Sequence, residues 1–134
     1  MLNRYARKVV GLAMAPCRHA DLVCRTPQLA IAHRQPTPGS IVHSDRESKY
    51  ASAPHQALLA RHGPVGSMSR KDSCWDNAVM EHFFLSLKTE RAWQRDSSNH
   101  AEAMSDIADY LVAFYNGVEL HSKLGNSPPN AFEQ

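Results

Sequence analysis

The segment Ser-Ile-Val-His-Ser-Asp-Arg, residues 40–46, is predicted to form a short β-strand that ends in a carboxylate. Ile41 and Val42 are β-branched residues of the kind that favour strands. Residues 35–39 precede them and contain two prolines and a glycine, which indicates a loop. Asp45 therefore stands at the carboxyl end of a predicted strand.

Outward from this segment, predicted strands and helices alternate along the chain. Thr26 and Pro27 interrupt one helical pattern, so that either a new helix starts there or the helix kinks. The tail, residues 120–134, is predicted as an ordered loop or a loose end. The alternation is typical of an α/β layer fold. The predicted elements are strand 8–15, helix 20–34, strand 40–44, helix 52–62, strand or extended loop 64–69, helix 73–93 and helix 99–116.

Helix 73–93 carries the strongest helical signal. Ser73 and Asp76 have the spacing of a capping box. An apolar stripe follows at helical spacing, made of Val79, Met80, Phe83, Phe84 and Leu87. Asn77, Glu81 and Lys88 are four and seven residues apart, so they share one face of this helix.

Asp45 and Glu81 are the two carboxylates with candidate chemistry. A carboxylate at the end of a strand and another on a neighbouring helix can converge on one divalent cation, and hard oxygen ligands suit Mg²⁺ or Mn²⁺. With a third carboxylate, such a site can hold two ions at a phosphodiester. The alternative is structural: Asp45 caps a turn and Glu81 is a solvated helix residue.

The composition of the chain excludes several classes of protein. The chain has 134 residues, enough for one domain or part of one, with 43% hydrophobic and 21% charged residues, which excludes collagen-like and coiled-coil proteins. The net charge is only +2, so no polybasic tail is visible. The charge is uneven, because Asp21 is the single acidic residue among residues 1–44, against six Lys and Arg.

Three cysteines without regular spacing favour a reducing cytoplasm over a disulfide framework. No apolar run reaches the ~20 residues that span a bilayer, although a short signal peptide is an alternative for the first 15 residues. The aromatic residues of helix 99–116 could stack nucleobases, but helical spacing favours a place in the core. A zinc site lacks the spacing of known fingers; its candidate ligands would be Cys17, His19, Cys24, His33 and His43.

Several ordered motifs together resemble insertion-sequence transposases that have an integrase-like DDE catalytic core. The resemblance covers nearly the whole chain. It rests on His43-Ser44-Asp45-Arg46 with Ser48 and Tyr50, on residues 67–71 and 74–81 with Phe83, Phe84 and 87–90, and on Tyr115-Asn116, His121-Ser122, Leu124-Gly125 and Pro128.

The resemblance implies an α/β fold of the RNase H-like class, truncated at its N-terminus and lacking the first core strands. Residues 7–14 resemble the family's third core strand. Residues 1–117 would form a partial integrase-like catalytic core, and residues 118–134 would form a C-terminal tail.

The resemblance also implies roles for individual residues. The family's second catalytic aspartate falls on Asp45 and its glutamate on Glu81, and both would bind Mg²⁺ or Mn²⁺. Lys88 would contact DNA near the scissile phosphate. The implied partners are DNA, as transposon ends and target, and intact transposase chains, with no membrane and no small-molecule substrate. The further candidates for DNA contact are Arg70, Lys71 and Asn77, and, more generally, Arg91 and Arg95.

The chain departs from the family pattern in ways that argue against cleavage by the chain alone. The family's first catalytic aspartate would lie upstream of residue 7, and Asp21 follows the wrong strand to replace it. We therefore expect a bacterial cytoplasmic fragment, associated with the nucleoid when bound to DNA, that is inactive alone; the alternative is a non-catalytic relic that binds DNA or transposase. Other departures are Leu12 for tryptophan, Pro27 inside a helix, Glu47 and Asp72 for glycine, and Glu119 for arginine.

Overall fold

The computed structural model describes residues 1–15, 20–69, 78–92 and 99–134 and has a mixed α/β architecture. Strands β1 and β2 form a small sheet, and the described ranges also contain five α-helices, of which α2 packs against β2. The predicted α/β class is therefore confirmed. The elements are α1 Ala20–Arg34, β1 Ile41–Ser44, α2 Ala53–His62, β2 Val65–Met68, α3 Ala78–Leu87, α4 His100–Asp109 and α5 Pro129–Phe132.

The β1–α2–β2 unit confirms the strands and helix predicted around residue 45. The two strands are parallel, with Ile41 opposite Val65 and Ser44 opposite Met68. Helix α2 makes the crossover that parallel strands require and ends at Gly63, whose φ of 90° lies in the left-handed region that favours glycine. Asp45 follows directly after β1, at the carboxyl end of the sheet.

The predicted strand 8–15 is wrong in the described structure. Val9 forms an isolated antiparallel bridge with Leu2, and residues 10–15 form no regular element. The Val9 N–H donates to Asn116 Oδ1 at 2.8 Å, and Asn116 Nδ2 donates to the Val9 carbonyl at 3.0 Å. The side-chain amide of Asn116 thus engages both backbone groups that a neighbouring strand would need.

Helix α1 runs without interruption through Pro27, so the predicted new helix start at Thr26 is wrong. Pro27 is buried, and Gly11 of the N-terminal segment packs against the same turn of α1. A Cβ atom at Gly11 would lie 2.6 Å from the carbonyl oxygen of Thr26. The close approach of these two segments therefore requires glycine at position 11.

Helices α3 and α4 each continue into a π-helical turn, Lys88–Ala92 and Tyr110–Tyr115, and together they hold the main core. Phe83, Tyr110, Leu111 and Tyr115 are buried there. The predicted apolar stripe of helix 73–93 is wrong at Phe84, which is 48% exposed, and the core position predicted for the aromatic residues of helix 99–116 is wrong at Phe114, which is 43% exposed. In the second helix, the wider π-helical turn places Tyr115 instead of Phe114 on the buried face, as the bond from the Asn116 N–H to the Leu111 carbonyl shows.

The C-terminal tail is ordered, so the loose-end alternative for residues 120–134 is wrong. Leu124 and Pro129 are buried, and the Asn130 N–H donates to the Asn116 carbonyl at 2.9 Å. Glu133 pairs with Lys8 at 3.0 Å and also with Arg34. Among the described residues, no helix has the length and apolar character needed to cross a membrane.

Candidate metal and nucleic-acid site

Asp45 lies in a tight turn that follows β1. Its Oδ1 accepts a hydrogen bond from the Glu47 N–H at 3.0 Å, which is the turn-capping role of the structural alternative. Its Oδ2 accepts no hydrogen bond from the described part of the chain. The Arg46 guanidinium donates through Nε to the Ser69 carbonyl at 2.8 Å and thereby joins the ends of β1 and β2. One oxygen of Asp45 is therefore fixed, and the other is available to a ligand.

Tyr50 lies against the same turn. Burial raises the pKa of the Tyr50 hydroxyl, and the negative charges of Asp45 and Glu47 raise it further. Two carboxylates thus lie near one phenol. Carboxylates that lie close together attract a cation.

Glu81 lies in the first turn of α3, and Lys88 is the first residue of the π-helical turn that follows. Both side chains are exposed, and neither forms an ion pair within the described ranges. Their spacing of seven residues keeps them near one face of the helix. The predicted placement of Glu81 and Lys88 on one helical face is therefore compatible with the structure.

The helix that carries Glu81 and Lys88 is anchored to α4 by side chains that sequence reasoning did not select for this role. Arg91 donates to both carboxylate oxygens of Asp106, at 2.7 Å and 2.6 Å. The Tyr110 hydroxyl donates to Glu90 Oε2 at 2.6 Å, and the Arg91 guanidinium lies 5.8 Å from the centre of the Tyr110 ring. Arg91 is therefore engaged in an internal ion pair, which argues against its predicted phosphate contact.

The described contacts do not join the two candidate metal ligands. Asp45 is held by its own turn and the end of β2, whereas the Glu81 helix is held by α4. Within the described ranges, no three His, Cys, Asp or Glu residues form a group that could hold a metal ion, and this includes Cys24, His33 and His43. The other candidates, Cys17, His19, Arg70, Lys71, Asn77 and Arg95, lie outside the described residues.

The chemistry of the available oxygens nevertheless suits a hard cation. Asp45 Oδ2 and the Glu81 carboxylate are ligands of the type that Mg²⁺ and Mn²⁺ prefer. These ions usually coordinate more oxygen ligands than two carboxylates provide. Phosphate oxygens or water would therefore have to complete the coordination.

Comparison with known proteins places transposases among the relatives of this chain. It is 37% identical over 133 residues to transposase InsF for insertion sequence IS3A of Escherichia coli strain K12, which covers 99% of the chain and 46% of that protein. It is also 37% identical over 133 residues to the transposase for insertion sequence element IS904 of Lactococcus lactis, covering 53% of that protein.

The chain spans about half the length of the curated relatives it matches. No family model matches it, and no solved structure matches it. The aligned region covers 99% of the chain and therefore spans positions 45, 81 and 88. By sequence, the chain is a relative of the insertion-sequence transposases and is similar to about half of such a protein.

Proposed function

We propose that this chain is part of a transposase catalytic core with an RNase H-like fold, and that the parent reaction is Mg²⁺-dependent DNA cleavage and strand transfer. One observation carries the proposal: Asp45 follows directly after β1 of the parallel β1–α2–β2 unit, and one of its carboxylate oxygens accepts no hydrogen bond from the described residues. Ligands of open α/β sheets bind at the carboxyl ends of the strands. The similarity to transposases supports a role of Asp45 in DNA cleavage.

Asp45 and Glu81 would hold the divalent cation. When bound, such a cation would supply Lewis-acid chemistry at a phosphodiester, for the nucleophile and for the leaving oxygen. Asp45 is oriented for this task by the Glu47 N–H, and the Arg46–Ser69 bond holds its turn against β2. Glu81 would approach from α3, whose orientation depends on the Arg91–Asp106 ion pair.

Lys88 would contact the DNA backbone beside the cation. An exposed, unpaired ammonium group on the same helix as Glu81 suits a phosphate contact that positions DNA without reading its sequence. Arg70, Lys71 and Asn77 are proposed as further contacts.

Two carboxylates bind two divalent cations poorly, and we propose that the chain alone does not cleave DNA. A second candidate function follows from Lys88, since a phosphate contact needs no metal: the chain would bind DNA, or an intact transposase chain, without cleavage. We also propose that the chain is located in the bacterial cytoplasm and associates with the nucleoid when it binds DNA.

DNA binding by the purified chain tests the proposal. We expect a labelled duplex to bind with an affinity that falls as salt rises, and we expect Lys88→Gln to lower the salt slope by about one. Arg25→Gln, on the exposed surface of α1, is the matched control and leaves the slope unchanged. Equal effects of the two substitutions would contradict the role of Lys88.

Nicking of supercoiled DNA in Mg²⁺ separates the two candidate functions. Binding without nicking supports the non-cleaving chain. Nicking that both Asp45→Asn and Glu81→Gln abolish would show that the metal site is complete without a further carboxylate. Nicking that survives both substitutions would contradict the assignment of these residues.

A further inference from the structure

A cleft of about 310 Å³ lies between the N-terminal segment, α3 and the start of the C-terminal tail. Its floor is apolar and aromatic and includes Phe83 and Tyr115, whose rings meet edge to face at 5.1 Å. Its polar lining is dominated by groups that carry or donate protons: Arg7, His82, Ser86, His121, Ser122 and Lys123.

Arg7 is held at the cleft in a strained backbone conformation. Its φ of 57° lies in the left-handed region, which costs of order 1 kcal/mol or more for a residue with a side chain. The side chain is partly buried and pairs with no carboxylate of the described residues. The structure thus places at the cleft a cation that forms no ion pair with the described residues.

His121 adds a second group without a partner. Its Nε2 is buried and makes no hydrogen bond within the described ranges. The ring packs edge to face on Tyr115 at 5.1 Å. Burial lowers the pKa of His121, and the nearby positive charges of Arg7 and His82 lower it further, so the three basic groups lie close to one another. A set of clustered basic groups of this kind favours an anion.

Among the described residues that line the cleft, Glu119 is the single carboxylate, and it opposes an anion there. Its Oε2 is buried without a hydrogen-bond partner. Burial raises the pKa of Glu119, and the charge of Glu90 raises it further. Removal of this negative charge would therefore strengthen the attraction of the cleft for an anion.

We propose that this cleft is a phosphate-binding site, in which Arg7 and Lys123 supply positive charge and His121, Ser86 and Ser122 donate hydrogen bonds to the phosphate oxygens. Guanidinium groups and hydroxyls are the usual protein partners of phosphate. The phosphate could belong to a DNA backbone or be free in solution. The DNA source rests on the proposed function, whereas binding of free phosphate does not.

The test follows the ring ¹H–¹⁵N signals of His82 and His121 at pH 7. Sodium phosphate and a short DNA duplex are titrated separately into the chain, with sodium chloride of equal ionic strength as the reference. We expect phosphate, and not chloride, to shift the His121 signal. A matching shift with the duplex assigns the site to the DNA backbone, and a shift with inorganic phosphate alone assigns it to the free ion.

Three variants and a control give the test its specificity. Arg7→Asn, which tolerates the left-handed conformation, should weaken phosphate binding about tenfold, and Arg7→Lys should retain most of it. Glu119→Gln should tighten binding about threefold or more. Arg4→Gln, exposed on the same segment, should change nothing.

Two results would overturn the proposal while leaving the Asp45–Glu81 assignment intact. One is the absence of any phosphate-specific shift in a chain whose amide spectrum shows it to be folded. The other is an equal loss of binding in Arg4→Gln and Arg7→Asn.

Discussion

Different interactions stabilise two regions of the molecule, the β1–α2–β2 unit and the helix pair of α3 and α4. In the first, backbone hydrogen bonds and turns dominate, and Ile41 and Val65 remain 72% and 55% exposed. In the second, buried aromatic rings and a two-bond ion pair dominate. The proposed site draws one carboxylate from each, so its geometry depends on two regions with different sensitivities.

Leu111→Ala is expected to cause the largest loss in the free energy of unfolding, because it removes a side chain from the core of the α3–α4 pair. Leu111 is 1% exposed in the main core, and loss of a buried leucine side chain costs about 2–5 kcal/mol. Val112→Ala, at a neighbouring residue that is 68% exposed, should cost less than about 0.5 kcal/mol. Urea unfolding of both variants measures the difference, and equal midpoints would show that the core is placed wrongly.

The second-largest expected effect on stability is that of the Arg91–Asp106 ion pair. Its two hydrogen bonds are charge-assisted and the side chains are 28% and 14% exposed, so we expect a coupling energy of about 1–2 kcal/mol. A double-mutant cycle with Arg91→Met and Asp106→Asn measures this coupling in urea. Lys88→Met, on the same π-helical turn, is the control, and its cycle with Asp106→Asn should give no coupling.

Gly63→Ala should lower the stability of the β1–α2–β2 unit by about 1–2 kcal/mol. The φ of Gly63 is 90°, and an added Cβ would lie 3.2 Å from the Cα of Pro38. Gly39→Ala separates strain from crowding, because Gly39 also has a positive φ and nothing lies within 4 Å of its Cβ position. Thermal unfolding should therefore show a greater loss for Gly63→Ala. A greater loss for Gly39→Ala would contradict the packing of the α2 terminus.

The smallest expected effect is a pH dependence at the tail. Burial tends to raise the pKa of Glu133, but hydrogen bonds from Arg34 and Lys8 and their positive charges outweigh it, so the folded pKa lies below the usual value. Its stabilisation is therefore present above about pH 4.5 and is lost as the pH falls through the folded pKa. Glu133→Gln should remove about 1 kcal/mol near pH 7 and little at pH 3, as measured by unfolding at each pH. An equal loss at both values would contradict the ion pairs.

Local sequence rules predicted the β1–α2–β2 unit because its determinants are local. β-Branched residues, the proline in the first turn of α2 and the glycine after it act within a few residues of their own position. The strand expected at 8–15 failed because a side chain more than 100 residues away, Asn116, engages the backbone of Val9. No pattern near residue 9 carries that information.

The helices were predicted correctly in kind, and their predicted buried face is confirmed at Phe83 and Tyr110 but wrong at Phe84 and Phe114. A spacing of 3.6 residues selects Phe114, whereas the π-helical turn buries Tyr115. For the candidate site, the sequence located Asp45 at the end of a strand and Glu81 on a helix, as the structure has them. It could not identify the Arg91–Asp106 pair, because that contact joins two helices and depends on how they pack.

A titration with Mn²⁺ tests directly whether Asp45 and Glu81 hold one divalent cation. The paramagnetic ion broadens amide signals near its site, and we expect low Mn²⁺ concentrations to broaden the signals around residues 45–47 and 80–82 together. Asp45→Asn and Glu81→Gln should each remove both effects, whereas Asp109→Asn, at an exposed acid on α4, should remove neither. Broadening of one segment that survives substitution of the other residue would contradict a shared site.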